Sequence, residues 1–195
     1  MTPVSSLSNA KLTLDDISDL RAYERERDEF RARIIALKKV RRIGVGPLLT
    51  LVFENRDTIR FQIQEMARAE RMLSDEQIQT ELDTYNPLIP EPGRLAATLF
   101  IELTSKAELM EWLPRLVGIE QAIELRIGEG EDAIVVPCLV DERHQTQLTR
   151  EEITAAVHYV HFALSAAEID AFRRAPVTVA AAHPAYTHAA PLAES

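Results

Sequence analysis

The sequence predicts an α+β fold in which N-terminal helices pack on a mixed sheet of about six strands. Three observations predict it. The first part of the chain carries long 3.6-periodic segments with helix-start signals. The later part carries short β-branched and aromatic runs separated by turns. Two strand–helix–strand units recur in that C-terminal half. At 195 residues the chain has the size of one domain, which buries roughly 70% of the surface its unfolded form exposes. We expect a single domain over 11–187, mostly helical at 11–86 and sheet-forming at 94–187, between a flexible leader at 1–10 and a tail at 188–195.

The first helix starts at Thr13, whose hydroxyl can accept an orphan amide, followed by Asp15 and Asp16 at the positive end of the dipole. Its apolar stripe, Leu20, Tyr23, Phe30, Ile34 and Leu37, is interrupted by Arg27, and the length to about Arg42 suggests a break near Asp28. Gly44-Val45-Gly46-Pro47 stops it. The cations Lys38, Lys39, Arg41 and Arg42 either complement the helix C-terminus or offer a phosphate site.

The stretch LLTLVFE, 48–54, is apolar nearly throughout and predicts a covered strand. Asn55 caps a helix running to about Leu73, and Ser74 with Asp75 and Glu76 opens another that ends by Pro87. NPLIPEPG is a loop. Strands follow at 95–103 and 119–127 around the helix SKAELMEWL, and AIVVPCLV returns after GEGE as a hairpin partner, with Pro137 marking an edge or bulge. After the polar loop DERHQTQLTREE come the strand AAVHYVHFAL, the helix SAAEIDAFRR and the strand PVTVAAA. Ser105 with Glu108 and Ser165 with Glu168 share capping-box spacing, which suggests either a duplication or two similar solutions to the same packing, with right-handed crossovers onto one sheet.

Composition excludes several functions. A 46% hydrophobic and 27% charged content is ordinary for a globular protein. The formal charge of -9 disfavours nucleic acid and anionic membranes. A single cysteine, Cys138, rules out an internal disulfide and any multi-cysteine metal motif, and fits a cytoplasmic setting. The N-terminus lacks the pattern of a secretory signal, and no run approaches the roughly 18 apolar residues of a membrane span. Phosphate-loop, dinucleotide, nucleophile-elbow and zincin motifs are absent, so no cofactor is implied.

Several polar residues fall where apolar ones are expected. On the helix after Asn55, Ile59, Ile63, Met66, Ala67 and Leu73 share a side, Glu70 lies near its middle, Gln62 at its margin, and Arg60, Gln64 and Arg68 point outward. A carboxylate in an apolar stripe needs a partner or a cavity. Arg27 and Glu70 then form a buried ion pair that fixes helix register, or they line a pocket holding a carboxylate of raised pKa. Glu54 and Asn55 sit at a strand-to-helix junction, where helix amides can hold an anion, although a capped helix satisfies the same pattern. His158 and His161, three apart on a strand, face opposite ways and cannot share a metal. His183 ends the last strand with Tyr186 and His188 close by, either a loop or an acid–base pair. Cys138, within an apolar strand, reads as inert core. The candidate pocket is thus Arg27, Glu54, Asn55, Gln62, Glu70, His183 and Tyr186.

Most of the chain, roughly 11 to 187, resembles the bacterial family known as domain of unknown function 3501. The resemblance is carried by LTLDDISDLRAYERERDEFRARIIALKK, VRRIGVGPLLTLVFENRDTIRFQIQEMARAER, ELDTYNPLIPEPGRLAATLFIEL, YVHFAL and HPAY, with LVFENRDTIRFQIQEM the most specific. It implies no established activity and no catalytic residues. It does imply a genomic setting beside rubrerythrin-like and iron–sulfur oxidoreductase proteins. With one cysteine and no paired Glu-x-x-His motif, this chain departs from the role of metal carrier. The expectation is a non-catalytic accessory or interaction protein of a redox or oxidative-stress system. The alternative is a small enzyme or ligand binder with a pocket around Glu54, Glu70, Arg27 and His183.

Overall fold

The computed structural model describes residues 10–140 and 153–192. The chain is α+β, and it divides into two compact units, one built from residues up to 41 with 54–92, the other from 42–53 with residues from 93 onward.

The first unit is helical. A 3-10 turn at Leu14–Asp16 is closed by a Thr13–Asp16 capping box, and α1 spans Leu20–Arg41. Asp19 starts α1, its Oδ1 accepting from the amides of Arg21 and Ala22, both at 2.9 Å. The expected break near Asp28 does not occur, because the charge that interrupted the stripe, Arg27, is held by a neighbouring helix. Tyr23, Phe30 and Ile34 form a small core, with Phe30 edge-on to Phe61 at 5.7 Å. Asn55 caps α2, Arg56–Glu70, through a reciprocal pair with Thr58, 2.9 Å in each direction. That helix ends three residues before the predicted Leu73, because Arg71 takes the left-handed conformation at φ 53° and the Met72 amide bonds back to Ala67. Ser74 and Gln77 box the start of α3, Asp75–Tyr85.

The second unit corrects the predicted mixed sheet of about six strands. Among the described residues nine strands form two sheets whose pairings are all antiparallel. They are β1 Arg42–Val45, β2 Leu49–Phe53, β3 Arg94–Ile101, β4 Ile123–Ile127, β5 Ile134–Pro137, β6 Leu139–Val140, β7 Val157–Ala163, β8 Val177–His183 and β9 Tyr186–Pro191. The orders are β1-β2-β3-β7-β6 and β5-β4-β8-β9.

The two strand–helix–strand units stand where predicted, around α4 (Lys106–Arg115) and α5 (Ala166–Phe172), each with its serine–glutamate capping box. Each crosses from the five-stranded to the four-stranded sheet, so the expected crossovers onto one shared sheet do not form. Because β3 pairs antiparallel with β7, and β4 with β8, the two units lie head to tail.

Three smaller differences have local causes. Residues 42–45, read as the last residue of a helix and the stop after it, form β1, since Arg42 to Val45 find partners on β2. Residues 119–121 form a 3-10 turn after Gly118, φ 87°, and the strand starts at Ile123. The predicted tail begins as β9, paired along β8 as far as Pro191. The polar loop DERHQTQLTREE, most of the leader and the last three residues lie outside the described residues.

One core serves both sheets. It includes Leu51, Leu99, Val160 and Phe162 from one and Leu125, Val136 and Val179 from the other. Tyr186 of β9 reaches the β1–β2 turn, where its hydroxyl donates to the Val45 carbonyl at 2.7 Å and accepts from the Leu48 amide at 2.9 Å. Gly46 in that turn has φ +72°, and a Cβ there would lie 2.4 Å from the His188 ring. Substituting Gly46→Ala combines a left-handed penalty with overpacking and should cost on the order of 2–4 kcal/mol. A lowered urea midpoint at unchanged m-value is the expected reading, and an unchanged midpoint would show that the turn tolerates a side chain.

Candidate functional site

The residues singled out by sequence divide between the two units, five in the first and two in the second. In the first unit the partner of Arg27 is Glu65, not the expected Glu70. Arg27 Nε and Nη2 donate to the two carboxylate oxygens at 2.8 and 2.9 Å, and the Tyr23 hydroxyl donates to the same carboxylate at 2.7 Å. The bidentate guanidinium holds Glu65 below its usual carboxylate range, with the tyrosine bond adding to this against the opposing effect of burial. Burial and the neighbouring Glu65 push the Tyr23 phenol upward, so it stays protonated.

Glu70 is exposed. It faces water rather than the apolar side because α2 is rotated from the predicted phase, burying Thr58, Ile59, Ile63, Gln64 and Ala67. Its charge helps raise the Glu81 carboxyl, on which burial has the larger effect. Gln64, expected outward, is fully buried: its carbonyl oxygen accepts from the Ser18 amide at 2.8 Å and its amide donates to the Ser18 carbonyl at 3.0 Å. Arg60, also expected outward, binds the Asp16 carbonyl at 2.7 Å and Glu26 at 3.2 Å. Gln62 is partly buried.

Glu54 is buried and accepts from the Thr58 hydroxyl. Asn55 is the helix cap, so the junction takes the form of a capped helix. Burial lowers the Arg41 guanidinium while Glu54 and Asp57 draw it upward, which places a cation of the KKVRR cluster against these acids. The rest of that cluster disperses: Lys38 lies over the Phe61 ring at 5.9 Å, and Arg42 pairs with Glu102 at 3.3 Å.

A cleft of about 170 Å³ opens in this unit between the turn at Ile17–Leu20, the end of α2 and the start of α3. Ala67, Met72 and Ile78 line it with Asp19 and Asp75, and no predicted pocket residue does. It is smaller than the roughly 300 Å³ at which sites for drug-sized ligands begin.

In the second unit His183 ends β8, as read from sequence. The Ala185 amide donates to its Nδ1 at 3.2 Å, which assigns the proton to Nε2, 3.0 Å from the Val117 carbonyl. Both ring nitrogens thus serve the chain's own backbone. Burial raises the Tyr186 phenol, and His188 packs on its ring at 4.5 Å.

A buried polar cluster in the same unit escaped sequence reading. It joins Glu120 of the 3-10 turn, Cys138 between β5 and β6, Thr154, and His158 of β7, which is indeed a strand. His158 Nε2 lies 2.8 Å from the Thr154 hydroxyl and 2.9 Å from the Ala155 carbonyl, which assigns its proton to Nε2. Burial holds the imidazole below its ordinary value, opposed by the Glu120 charge and the Ala155 carbonyl. The Cys138 thiol donates to the Glu120 carbonyl at 2.9 Å, and burial pushes it up to about 11. A thiol so poised is not a nucleophile at neutral pH. Glu120 was hidden because IEQAIELRI reads as one strand; the only signal was Gly118 just before it. Among the described residues no cluster of histidine, cysteine and carboxylate ligands could hold a metal, and no helix is long and apolar enough to cross a membrane.

A helical unit and an antiparallel two-sheet unit define an α+β protein without a recognisable catalytic constellation among its described residues. The chain belongs to the family described as protein of unknown function (DUF3501), whose model matches residues 11–195. A crystal structure titled a novel protein of unknown function from Burkholderia pseudomallei K96243, at 1.90 Å, is similar at 38% identity over 94% of each chain, with a TM-score of 0.84. No curated protein matches the chain.

Two outcomes test this geometry. Glu65 has its ordinary value of 4.5 when unfolded and a lower one when folded, so its stabilisation is complete above that pH and is lost as pH falls through the folded value. The Glu65→Gln variant should therefore melt lower at neutral pH and converge on the parent in acid, as followed by thermal scans across pH. Cys138 in the native protein should resist a thiol reagent at pH 8 and react with one equivalent after urea unfolding. Rapid native labelling would contradict its buried, protonated state.

Proposed function

We propose that this protein is a cytoplasmic, non-catalytic accessory or interaction protein of a redox or oxidative-stress system. The observation that carries the non-catalytic part is the closed Arg27–Glu65–Tyr23 arrangement: the charge that suggested a pocket is engaged by a bidentate carboxylate. His183 and Cys138 are likewise bonded to the backbone. Groups engaged in this way hold the packing in register, which supports a structural role for them. The redox setting rests on what the family resemblance implies, a genomic setting beside rubrerythrin-like and iron–sulfur oxidoreductase proteins.

The test is capture by the full-length tagged chain after cross-linking in its native cell, with mass spectrometry of what co-purifies. Enrichment of a rubrerythrin-like or iron–sulfur oxidoreductase protein over the untagged control is the expected outcome. Reproducible recovery of neither would overturn the redox assignment.

A further inference from the structure

Helix α1 has two unlike sides. Its inner side carries Tyr23, Phe30 and Ile34, and its acids Glu24 and Glu26 turn to Arg68 and Arg60 of α2. With Glu29 beside Arg33, the acidic residues of the helix other than Asp28 are paired. On a wheel of roughly 100° per residue, Arg21, Arg25, Asp28, Ala32, Ile35, Ala36 and Lys39 share an arc of about 100° on the opposite side, and all are exposed. Ile35 is 43% exposed and Val40, at the margin, 81%. Among the described residues Arg21, Arg25 and Lys39 form no ion pair.

We propose that this outer face of α1 docks an acidic amphipathic helix of a partner protein. Charge complementarity selects that occupant. The face presents three cations and one acid on a chain whose net charge is -9, so this surface is set apart from the average. Ala32 and Ala36, one turn apart, let a second helix axis come close, while Ile35 supplies the apolar contact. Arg25 and Lys39, two heptads apart, meet acids at both ends of that contact and set its register. A second copy fits poorly: in an antiparallel pair centred on Ala32, Arg25 would oppose Lys39. A membrane fits poorly as well, because the face has no leucine or aromatic side chain to enter the acyl boundary. This inference rests on the accessory reading and names the surface it would use.

The probe is a synthetic amphipathic helix about three heptads long, leucine on its seam and glutamate on its flanks. It is titrated into the full-length chain by fluorescence anisotropy. Expected is salt-sensitive binding that weakens at least about tenfold in the R25E/K39E variant, and not in K106E, with far-UV circular dichroism unchanged. A second variant, Ala32→Arg, should block binding without reversing charge at the ends. Absence of peptide binding, equal binding by R25E/K39E, or preferential binding to phosphatidylserine vesicles would overturn the proposal. Capture in cells separates the two readings. If R25E/K39E still captures the redox partner as the parent does, the α1 surface is wrong and the accessory reading stands. If the parent binds the peptide through α1 yet captures no redox protein, the surface stands and the redox assignment falls.

Discussion

The sheet unit depends on one short segment that serves two sheets. Residues 134–140 pair with β4 as β5 and with β7 as β6, and the change falls at Pro137 and Cys138. Pro137 stands opposite Glu124 in a position whose amide would point away from β4, so a residue without an amide is accommodated there. The Cys138 amide makes the last bond to that side, to the Ile123 carbonyl at 2.9 Å, and Leu139 opposite His161 begins the other sheet. The buried Cys138 thiol bonds to Glu120 and fills the corner. Sheets joined in this way must face each other, which is why one core collects side chains from both. The Tyr186 hydroxyl in the β1–β2 turn ties the other margin.

How much of this was legible in the sequence follows from the range of each interaction. Local signals transferred well: the caps at Asn55, Ser74, Ser105 and Ser165 stand as read, since a cap involves residues three apart. Runs of β-branched and aromatic residues placed β3, β4, β7 and β8, and the strand geometry of β7 kept His158 from sharing a face with His161. Sheet membership did not transfer. Each strand–helix–strand unit is locally the same whether it returns to its own sheet or crosses to another, and only pairing between distant residues decides. The strands β1 and β9 were missed because their neighbours are glycine, proline and small residues that look like turns.

The candidate site was misread for a related reason. A helical wheel assumes that apolar residues choose the buried face, but in α2 the amide of Gln64 is buried because both ends of it meet the Ser18 backbone. A side chain that satisfies an otherwise orphaned loop can be buried at little cost. That rotation moves Glu70 to the surface and Glu65 inward, toward Arg27. The same complementarity holds along the pair of helices, with Glu24 meeting Arg68 and Glu26 meeting Arg60. The unit is therefore aligned by charge and by amide geometry as much as by its small aromatic core, and the polar residues that looked out of place are those that set register.

The buried cluster of the sheet unit follows a different principle. Beside Glu120 lie the His158 imidazole and the Cys138 thiol, each kept neutral mainly by burial. Neutral side chains cost less to bury than charged ones, which suits His158 and Cys138 to this corner. The consequence for function is directional. Among the described residues Glu65 is tied to the fold by its ion pair with Arg27, and His158 and Cys138 are kept neutral by burial. The outer side of α1, where Arg21, Arg25 and Lys39 form no ion pair among the described residues and Ile35 is exposed, is the surface we propose for another molecule.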